Sequence, residues 1–182
     1  MKTITAVFLA FVFIVNAQAQ DQLKKGVYSL SGSLSYSSSS SSSIGNENDE
    51  QDITLLPRAS LFVFDRVEGS LGLGYSYYIV KSSYESVEYR RTALLLSLGV
   101  RYYFLSGKIA PFVGADGGMY WTSSEGRTYS KPVSNYGLIG GIEIFISQAA
   151  AIEPALVYSR YSDEFASGSE FSISLGVKYF IL

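Results

Sequence analysis

The first clear pattern in the chain is an alternation of small polar and large side chains between Gly26 and Ser40. Almost every second residue there is serine, and the residues between are Tyr28, Leu30, Gly32, Leu34 and Tyr36. Because successive side chains of a β-strand point to opposite faces, one face is small and polar and the other is mostly large and apolar. A narrow closed barrel has room inside only for small side chains, so its bulky face must meet lipid. The pattern therefore predicts a strand of a membrane barrel.

Segments of alternating hydrophobicity recur eight times, and they predict eight strands. The predicted strands are residues 26–37, 53–64, 70–80, 89–104, 110–121, 135–146, 151–160 and 170–181. Long polar connections and short turns alternate between them. The long connections are residues 38–52, 81–88, 122–134 and 161–169, and the turns are residues 65–68, 105–109 and 147–150. This order predicts an all-β fold: an eight-stranded antiparallel transmembrane β-barrel, an up-and-down meander with its turns at the periplasmic rim.

The distribution of charge indicates which face of each strand looks outward. If bulky residues such as Leu71, Leu73 and Leu98 face lipid, the only outward charges are Arg90 and Arg160, at loop ends. A charge at the bilayer midplane of a barrel costs about 2–4 kcal/mol, so this orientation is strongly favoured. The same orientation turns four cations and four carboxylates into the lumen: Arg58, Arg91, Arg101, Lys178, Asp116, Glu143, Glu153 and Glu170.

These inward charges have two interpretations, a network of ion pairs that fills the lumen or a gated conduction path. Side chains just fill the interior of an eight-stranded barrel, which favours the ion-paired lumen. Arg101 and Lys178 lie at similar predicted depth near the turn rim, with Glu143 and Glu153 within reach. The pattern alone does not assign the pairs.

Some residues depart from the regular alternation. Phe62, Phe64 and Phe145 fall on the inward face, which requires either a β-bulge or an apolar plug near the turn rim. Pro57 lies well inside its predicted strand and has no N–H for the ladder, so we expect a local irregularity there.

The N-terminus has the features of a secretory signal peptide. Lys2 precedes an apolar run over residues 6–15, and Ala17-Gln18-Ala19 fits a cleavage site. The run is roughly half of the ~20 residues that a membrane helix needs. We therefore expect a signal peptide over residues 1–19 and one exported barrel domain over residues 20–182.

Composition removes several classes of function. The chain has no cysteine, which excludes a lipoprotein anchor, disulfides and thiolate metal sites. It has no histidine, the usual general base near neutral pH, so we predict no enzymatic activity and no cofactor. The net charge is −2 with scattered basic residues, which disfavours nucleic acid as a partner. The acidic connection at residues 46–52 could collect calcium, but its spacing favours a solvated loop.

Three segments resemble the outer-membrane β-barrel domain family, the small eight-stranded group that includes the OmpA membrane domain and OmpX-like proteins. They are FVFDRVEGSLGLGY at residues 62–75, KIAPFVG at residues 108–114 and SLGVKYF at residues 174–180. The resemblance implies a location in the bacterial outer membrane and roles that range from envelope integrity to surface adhesion. It transfers no site residues.

The expected function is that of a monomeric, non-enzymatic outer-membrane barrel. It would act as an envelope scaffold and as a surface interaction protein through its extracellular loops. Its expected partners are outer-membrane lipids and lipopolysaccharide, the barrel assembly machinery, and a surface ligand or host protein at the loops. One alternative is a narrow porin-like channel for ions or small solutes. A second is a secreted soluble barrel that binds a lipophilic ligand, which requires the Leu, Tyr and Ile set to point inward.

Overall fold

The computed structural model describes residues 22–43, 46–82, 87–124, 127–128, 132–162 and 167–181. The predicted signal peptide, residues 1–19, lies outside the described residues. So do the side chains of residues 46–50, which carry the calcium alternative, and the side chain of Arg90.

The described chain folds into antiparallel strands that follow one another around a closed barrel. The strands are β1 (Tyr28–Ser43), β2 (Asn46–Phe64), β3 (Val67–Ser82), β4 (Val87–Tyr103), β5 (Ile109–Ser124), β6 (Arg127–Thr128), β7 (Val133–Phe145), β8 (Ala150–Ser162) and β9 (Ser167–Ile181). Eight long strands form the wall in the order β4-β3-β2-β1-β9-β8-β7-β5, and the pairing of β4 with β5 closes it. The two-residue β6 pairs only with the end of β5. The predicted eight-stranded up-and-down barrel is confirmed, and no helix among the described residues is long and apolar enough to cross a membrane.

The strands run further into the long connections than the sequence pattern predicts. β1 and β2 stay in register from Tyr28↔Leu61 to Ser43↔Asn46, so most of the predicted connection 38–52 is a paired hairpin. Polar composition marks where the apolar band ends, but a backbone ladder already in register can continue past that point into water. The prediction of a long loop there is therefore wrong.

The strands are staggered strongly around the barrel. Following paired residues once around the wall from Lys178 leads back to β9 at Gly168, ten residues before the starting point. Stagger, strand tilt and diameter are linked in a barrel, so this offset requires tilted strands. The tilt brings side chains from non-adjacent strands to the same depth in the lumen.

The predicted orientation of the strands is confirmed. Leu98 is 65% exposed on the outer wall, whereas its neighbour Ser97 is 5% exposed inside. Leu30 and Leu73 are likewise exposed on the outer wall, and Ser33 and Ser174 are buried inside. This geometry contradicts the soluble-barrel alternative, because the Leu, Tyr and Ile set that would contact a lipophilic ligand points outward.

An apolar cluster closes the lumen at the turn end. Its buried members are Leu23, Phe62, Tyr103, Ala110, Phe112, Ile139, Phe145, Ala151, Ala155 and Phe180. Phe62 and Phe145 therefore lie inside, in the plug that the sequence pattern allows. Phe64 does not, because the register between β2 and β3 shifts between Phe62 and Phe64 and leaves its ring 64% exposed. The inward assignment of Phe64 is wrong because this bulge reverses the alternation.

The segment before β1 crosses the turn end of the barrel. Leu23 is 2% exposed in the apolar cluster, and its carbonyl accepts a hydrogen bond of 2.7 Å from the Arg66 N–H. On the far side, Gln22 Nε2 donates to the Gln148 carbonyl at 2.9 Å. No periodicity in residues 22–27 indicates this lid, which exists only once the turns stand around it.

Pro57 produces a gap in the ladder. Paired residues of β2 and β3 stop at Leu55↔Tyr75 and resume at Arg58↔Gly72 in the same register. The missing proline N–H therefore interrupts the pairing without shifting it, which confirms a local irregularity at this position.

Because the large apolar side chains face lipid, a charge introduced among them should destabilise the barrel, and more so near the middle of the membrane than at its interface. Leu98→Lys places an ammonium group on the outer wall, and we expect it to lower the free energy of unfolding in vesicles by about 2–4 kcal/mol. Leu105→Lys, in the β4–β5 turn at the interface, is the matched control and should cost about 0–1 kcal/mol. Urea titration of vesicle-folded protein measures both, and equal losses would contradict the assigned depth.

Candidate functional site in the charged lumen

Five charged residues form a buried cluster in the lumen next to the apolar plug. Each stands on the inward register of its strand: Glu68 on β3, Arg101 on β4, Glu143 on β7, Glu153 on β8 and Lys178 on β9. All of their side chains are at most 5% exposed. We call these residues the charged cluster.

Lys178 is the centre of the charged cluster. Its Nζ lies 3.0 Å from Glu68 Oε2, 3.1 Å from Glu143 Oε2 and 3.6 Å from Glu153 Oε2. These three carboxylates come from three different strands, and β3 lies across the barrel from β9. One ammonium group therefore joins opposite sides of the wall.

Arg101 provides the second cation. Its Nη1 donates to Glu153 Oε2 at 2.5 Å, the same oxygen that faces Lys178. The cluster thus holds three carboxyl groups and two cations in one connected unit. Removing one partner of such a buried set leaves an uncompensated charge, which is strongly destabilising.

Tyr103 connects the charged cluster to the aromatic plug. Its hydroxyl donates to Glu68 Oε2 at 2.6 Å and accepts from Lys178 Nζ at 2.8 Å. The Arg101 guanidinium lies 4.9 Å from the centre of the Phe112 ring, and Lys178 Nζ lies 5.7 Å from that of Phe180. The cations are therefore held between carboxylates and aromatic rings, both of which favour positive charge.

A second ion pair lies above the charged cluster. Arg58 Nη2 and Asp116 Oδ2 are 3.5 Å apart, and both side chains are mostly buried. Glycines make room for these long side chains: a Cβ at Gly99 would overlap Asp116 Oδ1, and one at Gly114 would lie 2.8 Å from Arg101 Cγ. The glycine-rich strands thus provide lumen volume where charges have to fit.

A polar cavity of about 130 Å³ occupies the loop half of the lumen. Hydroxyl and amide side chains dominate its lining, which includes Ser33, Thr54, Ser76, Tyr78, Asn135, Ser159 and Ser172. Arg58 and Asp116 also line it, but no member of the charged cluster does. The cavity can hold water or a small polar solute, and the lining that the structure describes meets the apolar cluster only at its edge, through Ile139 and Val157.

The predicted lumen residues occupy three different environments. The structure brings Arg101, Glu143, Glu153 and Lys178 together, and it pairs Arg58 with Asp116. Glu170 lines the polar cavity, and Arg91 is exposed at the loop end of the inward register of β4. Neither Glu170 nor Arg91 forms an ion pair with another described residue.

Sequence reasoning missed Glu68, which is as buried as Glu143. The predicted turn at residues 65–68 included it, whereas β3 begins at Val67. A usable signal exists, because Glu68 continues the inward alternation of Ser70, Gly72 and Gly74. A third predicted strand that began at Glu68 instead of Ser70 would have placed the Glu68 side chain in the lumen.

Comparison with known proteins identifies the fold. The sequence matches no family model, and no curated protein matches it. Among solved structures, Neisserial surface protein A is 14% identical over 85% of this chain and 97% of its own, with a TM-score of 0.61. OprG from Pseudomonas aeruginosa is 13% identical over 87% and 97%, with a TM-score of 0.62.

A third solved structure, the N-terminal β-barrel domain of Pseudomonas aeruginosa OprF, is 16% identical over 86% of this chain and 98% of its own, with a TM-score of 0.51. At these identities the likeness shows the fold alone. The chain has the fold of small eight-stranded outer-membrane β-barrels, which confirms the predicted resemblance at the level of architecture.

The charged cluster predicts a large loss of stability when its centre is removed. Lys178→Met leaves the carboxylates of Glu68 and Glu143 buried without their cation, and we expect a loss of about 3–5 kcal/mol. Arg91→Met, at an exposed position, should change stability by less than about 0.5 kcal/mol. Urea unfolding in detergent, followed by Trp121 fluorescence, measures both.

A double variant separates the loss of charge balance from the loss of packing. Lys178→Met combined with Glu143→Gln should recover part of the lost stability, because one stranded carboxylate has become neutral. If the two losses simply add, Lys178 and Glu143 are not energetically coupled.

Proposed function

We propose that this transmembrane β-barrel is a closed, non-enzymatic scaffold protein of the bacterial outer membrane whose long connections form a surface for interaction. The shared fold, the apolar outer wall and the predicted signal peptide all support an outer-membrane location. A closed barrel also has no unpaired sheet edge, so a single chain suffices to span the bilayer.

The blocked lumen is the observation that carries the proposal. Between the polar cavity and the turn end lie two successive layers, the charged cluster and the aromatic plug. Phe62, Tyr103 and Phe180 in the plug are at most 1% exposed. An ion crossing the barrel would have to separate Lys178 from its carboxylates and then displace packed rings, so we infer that the resting barrel does not conduct.

The loop end is the proposed interaction surface. β1 and β2 remain paired up to Ser43 and Asn46, so the scaffold carries this hairpin well past the apolar band. Connections held by a rigid wall are the usual carriers of recognition. Lipopolysaccharide and a surface ligand or host protein are the partners we propose there, and the barrel assembly machinery is the one we propose for insertion.

A narrow channel is the second candidate function. The hydroxyl-lined cavity supports it, because half of the lumen already offers polar groups that could replace the hydration of a solute. Conduction would additionally require rearrangement of both the charged cluster and the aromatic plug.

Conductance in planar bilayers distinguishes the two functions. We expect the purified barrel to insert without discrete current steps in concentrated KCl, because both layers stay in place. Protein recovered from the same bilayer material should run as the compact, unheated form on a gel, which shows that folded barrel was present. Regular single-channel steps would contradict the scaffold proposal and favour the channel.

Cell fractionation tests the proposed location. In a Gram-negative host, the full-length chain should reach the outer-membrane fraction and change its gel mobility on boiling, since a closed barrel resists unfolding by detergent alone. Recovery from the soluble periplasm would overturn the proposal whatever the conductance result.

A further inference from the structure

Positive charge is concentrated at the turn end of the barrel. Lys24, Lys25, Arg66 and Lys108 are all exposed there, and Asp65 is the one exposed carboxylate among the described residues of that rim. The connections of the opposite end are instead rich in Asp and Glu in the sequence. The two rims therefore present different charge to the two membrane leaflets.

Two of these cations share a cleft. The N-terminal segment and two turns enclose about 250 Å³, lined by Leu23, Lys24, Asp65, Arg66 and Ser106. Asp65 Oδ1 already accepts a hydrogen bond of 2.9 Å from the Lys25 backbone N–H. The cleft thus combines an ammonium group, a guanidinium group and a hydroxyl donor, which are groups that bind phosphate oxygens.

The backbone of Arg66 ties its turn to the segment before β1 and to the end of β4. Its φ is +65°, the one positive φ of a non-glycine residue among the described residues. Its N–H donates to the Leu23 carbonyl, and its carbonyl accepts from the Tyr103 N–H at 2.9 Å. Glycine or asparagine would suit this left-handed turn better than arginine. A two-residue hairpin turn between Phe64 and Val67 calls for such a conformation, and this turn holds the exposed Arg66 side chain at the cleft that it lines.

An aromatic outer wall begins at the edge of the cleft. Phe64 pairs with Val67, and Val67 pairs with Tyr102 on the next strand. The Tyr102 and Phe104 rings meet edge to face at 5.4 Å, and Lys25 Nζ lies 5.9 Å from the centre of the Phe64 ring. A molecule with an anionic head and apolar chains would contact the cations and this wall together.

From this juxtaposition we propose that the cleft binds the phosphate headgroup of an anionic glycerophospholipid in the periplasmic leaflet, with its acyl chains against Phe64, Tyr102 and Phe104. The inference rests on the proposed function, since it requires the turn end to meet that leaflet. The site would anchor the barrel at a fixed depth and give the turn rim a preference for anionic over zwitterionic lipid.

Native mass spectrometry of the folded mature chain tests the site. The protein is released from detergent with equal amounts of phosphatidylglycerol and phosphatidylcholine of identical acyl chains. We expect preferential retention of phosphatidylglycerol. Lys24→Gln and Arg66→Asn should each reduce that preference about fivefold, since one cation near an anionic surface is lost. Asparagine tolerates the positive φ, so Arg66→Asn keeps the turn.

Lys108→Gln is the matched control, because it removes an exposed cation of the same rim that does not line the cleft. This variant should prefer phosphatidylglycerol over phosphatidylcholine as strongly as the native chain does. Equal retention of the two lipids by the native chain would overturn the inference, and so would an Arg66→Asn variant that behaves like Lys108→Gln. Inorganic phosphate that displaces the lipid at equal concentration would also overturn it, because the acyl chains would then add nothing.

Gel mobility before and after boiling confirms that each variant is folded before its lipids are counted. The result is separable from the proposed function. A barrel that conducts ions but retains phosphatidylglycerol through Arg66 would support the lipid site and contradict only the scaffold proposal. A non-conducting outer-membrane barrel that retains both lipids equally would contradict only the lipid site.

Discussion

Burial of Lys178 among carboxylates is the interaction on which the interior of this barrel depends. The backbone hydrogen bonds of the wall are satisfied between the strands around the circumference. The contents of the lumen are therefore determined by side chains. Lys178 joins β9 to Glu68 on β3 across the barrel, to Glu143 on β7, two strands away, and to Glu153 on the adjacent β8. Any displacement that separates these groups leaves several buried charges without their partners at once.

Aromatic residues and charges complement each other in this interior. Tyr103 belongs to both layers, with its ring in the apolar plug and its hydroxyl in the charged cluster. The plug excludes water from one side of the charges, which strengthens their attraction. The charges in turn form hydrogen bonds with the Tyr103 hydroxyl, the one polar side-chain atom of the plug. The polar cavity lies above them, in the loop half of the lumen.

The two rims of the barrel differ in structure and in charge. The loop end combines paired strand extensions with acidic connections, and its environment is the cell exterior in the proposed topology. The turn end is compact and positively charged, and the N-terminal segment covers it through Leu23 and Gln22. In the proposed topology, this asymmetry agrees with the tendency of long loops and short turns to lie on opposite sides of the membrane.

Much of the fold could be predicted because it depends on local alternation. The eight strands, their antiparallel order and the outward Leu98 all follow from period-two patterns and from the cost of charge in lipid. Errors occurred where that local rule changes. The bulge before Phe64 reverses the alternation, the hairpin beyond Ser37 continues without apolar residues, and Glu68 stands so near a turn that its strand assignment fails.

By itself, the sequence determined that this chain forms a membrane barrel, which face of each strand meets lipid, and which charges must turn inward, since each depends on one strand at a time. The tertiary structure alone decided which of those charges meet. Contacts such as Lys178 with Glu68 depend on the stagger of all eight strands taken together, and no single segment carries that information. For the same reason, the lid formed by Leu23 and the cleft beside Arg66 emerged only when separate turns came together at one rim.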